Sequence, residues 1–134
     1  MNDALERLLS FKKRYPKTIA WRLRKHMKVI ETHIDPDETI KYIFCGQRGR
    51  GNFFSTKVVA ITNRRIFAAS KRMVWGYFLD IITRDMFSGF NIKGHLIWGD
   101  FVIDTIKEEV VISKIDKAAL NEIEDEVSRA MELN

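Results

Sequence analysis

The stretch KVVAITNRRIFAASKR, residues 57–72, sets two runs of small and β-branched residues on either side of Thr62-Asn-Arg-Arg65. Each run reads as a short strand, and the four residues between them read as a tight turn. Asn63 tolerates a left-handed backbone and bonds its own neighbours, so a two-residue reversal is expected there.

Strand chemistry continues on both sides. Residues 39–45, 53–62, 65–71 and 76–82 are rich in β-branched and aromatic side chains, as are 87–93, 96–105 and 109–112. Turn residues separate them: Gly46-Gln-Arg-Gly-Arg-Gly51, Trp75-Gly76, Trp98-Gly99 and Lys107-Glu-Glu109. Connections this short hold no crossover helix, so neighbouring strands must be antiparallel. A seven-stranded meander, paired in sequence order, must then close or fold over to hide its edges.

Helical patterns flank the strands. Residues 3–13 place Leu5, Leu8, Leu9 and Phe11 at spacings of three and four. Pro16 breaks or restarts the helix. A second helix is predicted over 17–33, with Ile19, Leu23, Met27, Ile30 and Ile34 on one face. Trp21, Arg24, Lys25 and Lys28 fall opposite. A last helix follows Asp116, whose carboxylate suits an N-cap. Its buried stripe is Leu120, Ile123, Val127 and Met131, while Glu122, Glu124, Asp125 and Glu126 are expected to face water.

This order of elements resembles the bacterial pleckstrin-homology-like (PH-like) domains, with the YokE-like kind nearest. The resemblance rests on Val58–Phe67, on Lys93-Gly-His-Leu-Ile-Trp-Gly99, and on Glu109-Val-Val-Ile-Ser-Lys-Ile-Asp-Lys117. It covers about residues 36–131. It implies an α+β fold: a PH-like, partly open seven-stranded antiparallel barrel with a C-terminal capping helix. Residues 1–35 would then be a basic helical extension and 36–134 the domain. On that division, the domain should fold without residues 1–34. The resemblance also implies a binding scaffold with no catalytic role.

Composition agrees with one globular domain: 134 residues, 46% hydrophobic and 31% charged. The single cysteine, Cys45, rules out an intramolecular disulfide and a cysteine-based metal cluster. It points to a reducing compartment. No signal-peptide pattern stands out, so the expected location is cytoplasmic, with peripheral membrane attachment as an option.

The net charge of +5 is unevenly spread. Residues 1–75 carry 17 Lys/Arg against 6 Asp/Glu, and residues 76–134 carry 6 against 12. Lys12 to Lys28 holds eight basic residues and no acidic one. Such asymmetry suggests an anionic partner.

Two sets of residues carry that expectation. In an antiparallel meander the first-to-second and third-to-fourth loops emerge at one end. This gathers Arg48, Arg50, Lys71 and Arg72 into an anion-facing patch, with Met73 and Trp75 beside them. The other set is Trp21, Arg24, Lys25 and Lys28 on the basic helix, which suits a headgroup layer or a stacked base. A specific phosphoinositide site is not expected. The second strand offers Lys57 followed by Val58 and Val59, not paired basic residues.

Residues 46–51 lack the Lys-Ser/Thr of a nucleotide loop and read as a hairpin loop. His26 and His33 flank the helix stripe without a third ligand, so no metal or cofactor is expected. Asp80, Asp85, Asp100 and Asp104 fit solvent-facing strand alternation rather than catalysis. The expected function is therefore binding, first to a protein partner or a second copy. Anionic membrane is the alternative, and nucleic acid the third.

Overall fold

The structure is a computed structural model that describes residues 2–48, 56–73 and 75–131. Helix α1 spans Asn2–Arg14 and α2 spans Leu23–Glu31. Seven strands follow: β1 Ile40–Arg48, β2 Thr56–Thr62, β3 Arg65–Lys71, β4 Tyr77–Thr83, β5 Phe87–Gly94, β6 Trp98–Thr105 and β7 Glu109–Asp116. A 3-10 turn, Lys117–Ala119, leads into α3, Leu120–Ala130.

All seven strands join one antiparallel sheet in the order β4-β3-β2-β1-β7-β6-β5. The meander is thus interrupted once. β4 and β5 follow each other in the chain but do not pair, and β1 pairs with β7 instead through Gln47↔Ser113 and Arg48↔Ile112. The pairing expected between the fourth and fifth strands is absent because the closure runs through β1. Gly46, Gln47 and Arg48 are strand residues, not loop as expected. The rest of that glycine-rich stretch lies outside the described residues, and so do residues 53–55 of the expected second strand.

Burial shows where the core sits. Every residue of β2 is buried. Side chains alternate along a strand, so both of its faces must be covered. Helix α2 covers one side of β2 and β3 with Leu23, Met27, Val29 and Ile30. On α1, Ala4, Leu8 and Phe11 are buried, while Leu9 is exposed. Phe11 meets Tyr42 and Phe44 of β1, Phe44 meets Phe101 of β6, and Phe101 stacks on Phe90 of β5. One continuous core therefore includes both N-terminal helices and the barrel.

The second helix starts six residues later than expected. Arg22 sits at φ 56°, a left-handed conformation that ends helical propagation toward the N-terminus. Residues 17–21 instead form a non-helical strap fastened to the barrel. Trp98 Nε1 donates to the Lys17 carbonyl at 2.7 Å, and Lys17 N donates to Asp116 Oδ2 at 3.2 Å. Thr18 Oγ1 accepts from Asp116 N at 2.9 Å, and Ile19 N donates to the Lys114 carbonyl at 3.0 Å. Gln47 Nε2 donates to the Ile19 carbonyl at 2.7 Å, and Trp21 N donates to Thr56 Oγ1 at 2.9 Å. The Lys114 carbonyl is presented by a β-bulge. Gly99 pairs with Ile115 and Phe101 with Ile112, so β7 carries one extra residue, and Lys114 takes φ 55°.

The turn at Asn63 also differs from expectation, since Asn63 is not left-handed. Thr62 Oγ1 accepts from Arg64 N and Arg65 N, both at 3.1 Å, which closes the turn with a side chain. Asn63 turns outward and exchanges two hydrogen bonds with the Thr39 backbone, at 2.9 and 3.0 Å. The two arginines have partners in the α2–β1 connection. Arg64 pairs with Asp35 and Asp37, and Arg65 pairs with buried Glu38. Burial alone would raise the Glu38 carboxyl. The hydrogen bonds from Arg65 and Thr62 outweigh it and hold the group at about 2.

At the C-terminus Asp116 caps as expected, accepting from Ala118 N at 3.0 Å. Leu120, Ile123, Val127 and Met131 are buried. Glu122, expected to face water, instead accepts hydrogen bonds from Arg14, Tyr15 and Tyr42, joining α3 to α1 and β1.

One glycine is fixed by close approach. A Cβ on Gly46 would lie 2.6 Å from the Ser113 carbonyl oxygen and 2.7 Å from Ile112 Cγ2. The Ser113 oxygen is main chain and cannot swing aside. Gly46→Ala should therefore cost about 1–3 kcal/mol, read as a lower urea midpoint with an unchanged slope. A variant as stable as the parent would mean that β1 and β7 separate at no cost.

Candidate docking face

The β1 terminus and the β2 start meet at Gln47↔Thr56, and the β3 terminus meets the β4 start at Lys71↔Tyr77. Antiparallel pairing of β2 with β3 puts both connections at one end of the barrel. There Arg48 lies with its guanidinium carbon 3.8 Å from the centre of the Phe78 ring. Arg72 approaches the same ring at 5.5 Å. One phenyl ring thus gathers two cations, one from the end of β1 and one from the β3–β4 connection. Arg72 N and Lys71 Nζ both donate to the Gly76 carbonyl, at 3.0 and 3.2 Å. Gly76 at φ 84° lets the loop reverse.

The N-terminal turn of α2 reaches this end too. Buried His26 accepts from Lys71 N through Nδ1 at 2.8 Å. Burial, then the nearby Arg22 charge, lowers its pKa to about 4 against an opposing hydrogen bond with the Trp21 backbone. His26 is therefore neutral at ordinary pH and clamps α2 to the end of β3. Arg22 Nη1 contacts Met73 Sδ at 3.2 Å, and the strap ends with Trp21 held at Thr56. At the other end of α2, His33 Nε2 meets the Tyr77 hydroxyl at 3.1 Å.

The structure brings Arg48, Lys71 and Arg72 together at this end of the barrel and brings Trp21 to it through Thr56, but among the described residues no contact joins Arg24, Lys25 or Lys28 to it. Arg24 and Lys25 are exposed on the first turn of α2, and Lys28 is exposed one turn further on. Arg50 lies outside the described residues. Trp21 belongs to the strap and not to the helix, and is 50% exposed. Between the cations stand large apolar side chains open to solvent. Met73 is 71% exposed and Trp75 is 75% exposed, with Tyr77 and Phe78 partly so.

Arg22, Tyr77 and Phe78 escaped the sequence reading. The signal was present in Lys71-Arg-Met-Val-Trp-Gly-Tyr-Phe78, where two cations run into four large apolar residues. Lys57 takes no part in this surface. Its side chain is 7% exposed, 3.8 Å from Asp80, and burial lowers its pKa against the pull of that carboxylate.

Comparison with known proteins places the architecture. No curated protein matches the chain in sequence. A solved structure of a pleckstrin homology domain from Shewanella amazonensis superposes with a TM-score of 0.52 at 10% identity, covering 78% of this chain and 83% of that one. At that identity the likeness concerns the fold alone. The family described as bacterial PH domain matches residues 34–128, more than half of the sequence and nearly all of the barrel with α3. The chain belongs to the bacterial PH-domain family.

Proposed function

We propose that this bacterial PH domain is a non-catalytic binding module that docks peripherally on anionic membrane surfaces through the end of the barrel bearing Trp75. PH domains generally serve as binding modules. The observation that carries the membrane reading is the pair Met73 and Trp75, 71% and 75% exposed in a loop bordered by Arg22, Lys71 and Arg72. Solvent-exposed methionine and tryptophan beside cations suit a headgroup layer, where the indole sits at the interface and the cations meet lipid phosphates. This geometry moves membrane ahead of the protein partner that the sequence alone put first. No described helix is long and apolar enough to cross a membrane, so attachment would be superficial.

The buried Lys57 argues for general anionic attraction rather than recognition of one headgroup. Each basic residue near an anionic surface contributes about 1 kcal/mol, strongly reduced by salt. Trp21, Met73 and Trp75 would add apolar burial.

Co-sedimentation with vesicles tests the proposal. Phosphatidylcholine vesicles containing phosphatidylserine should bring the protein down at low salt, and pure phosphatidylcholine should not. Trp75→Ala should weaken binding about tenfold, equivalent to about 1.4 kcal/mol. Excess single-stranded oligonucleotide should not strip the protein from the vesicles. Absence of sedimentation at low salt, or full release by the oligonucleotide, would refute membrane docking.

A further inference from the structure

A second exposed apolar feature lies outside the face just described. The β5–β6 hairpin ends in Leu96 and Ile97, which are 91% and 43% exposed. The tip is rigidly built. His95 N donates to the Trp98 carbonyl at 2.8 Å, and Lys117 N donates to the Ile97 carbonyl at 3.1 Å. Trp98 Nε1 holds the Lys17 carbonyl at the base of the hairpin. A leucine displayed almost completely at the apex of an ordered hairpin contributes nothing to the core.

Lysines surround it. Lys93 lies on the hairpin, Lys117 follows β7, and Lys17 begins the strap, all exposed. Lys114 places its ammonium 4.9 Å from the centre of the Trp98 ring. Two acidic groups lie nearby: Asp100, mostly buried beside His95 of the same hairpin at 3.4 Å, and Asp116, buried under the strap.

The strap ties this tip to the docking face. Lys17 is bound at the hairpin base and Trp21 at the start of β2. Four residues of extended chain span no more than about 14 Å. The hairpin base and the start of β2 therefore lie close together, with Lys17 at one end of the strap and Arg22 following the other.

We infer that the β5–β6 hairpin is a second membrane contact, in which Leu96 and Ile97 enter the headgroup–acyl boundary of an anionic bilayer while Lys17, Lys93 and Lys117 meet its phosphates. This rests on the membrane reading above and adds to it an orientation: the protein touches the bilayer at two points joined by residues 17–21. Apolar insertion flanked by cations is the chemistry that favours a bilayer over a dissolved anion, which would gain nothing from Leu96.

The test uses the full chain. Cys45 is the only cysteine and is fully buried, so Leu96→Cys gives one accessible thiol for a polarity-sensitive fluorophore. Mixing with phosphatidylserine-containing vesicles should shift its emission to the blue, and neutral vesicles should leave it unchanged. In parallel, Leu96→Asp should weaken sedimentation with the anionic vesicles about tenfold without lowering the melting temperature, since the side chain packs on nothing. If Trp75→Ala weakens binding but Leu96→Asp does not and the label stays in water, the hairpin is no contact and the primary face stands. If the parent protein fails to bind the vesicles at all, both readings fall.

Discussion

Deleting residues 1–34 should leave a chain that no longer unfolds cooperatively, although every strand and α3 remain. The deletion uncovers the faces of β2 and β3 that Leu23, Met27 and Ile30 bury, and removes Phe11 from between Tyr42 and Phe44. It also leaves Gln47, Thr56, Trp98 and Asp116 without the strap. A domain's total stability is about 5–15 kcal/mol, and the loss of several fully buried side chains exhausts it. The single change Phe11→Ala should alone cost about 3–5 kcal/mol, because Phe11 has no solvent exposure. Thermal melts followed by circular dichroism read both outcomes. A truncated chain that melts as sharply as the parent would show that the helices are an appendage, as the family match beginning at residue 34 would permit.

Acid should destabilise the protein in two stages. His26 is held at about 4 against an ordinary 6.5, so below pH 6.5 the unfolded chain takes up a proton that the folded one refuses. Stability then falls as pH drops from 6.5 to about 4, by up to about 3 kcal/mol. Glu38 is held at about 2 against 4.5, and its contribution, present above 4.5, is lost as pH falls toward 2, by a similar amount. Both effects have the same sign, since in each window the unfolded state binds more protons. Urea titrations across this range should show the upper stage vanish in His26→Gln and the lower stage vanish in Glu38→Gln. An unchanged upper stage in His26→Gln would show that the proton uptake belongs elsewhere.

The hairpin at residues 57–72 made the fold legible. Its β-branched runs and short connections leave few topologies, and the strand bounds of β3 match the expected 65–71 at both ends. The start of α2 was not legible. Arg22 takes a left-handed conformation because the chain before it is bound by Gln47, Thr56, Lys114 and Trp98, all distant in sequence. Helical periodicity in residues 17–22 carries no trace of those partners. The pairing of β1 with β7 was hidden for a similar reason, since it involves only the last residues of one strand. For the docking face, the charges were visible but their convergence was not. Arg22 and the start of α2 reach the barrel end through the Arg22–Met73 and His26–Lys71 contacts, which depend on how α2 lies across β3.

The strap also sets a schedule for folding. Its ties to Trp98 and Asp116 cross 81, 98 and 99 residues of sequence. A chain made from its N-terminus produces α1, the strap and α2 before their anchors, which emerge 81 to 99 residues later. Until then Leu8, Phe11 and Met27 have no finished barrel to cover. Closing such long loops is entropically costly and slow, and the waiting helices are open to association with other chains. The helices synthesised before the barrel are therefore fixed only after it.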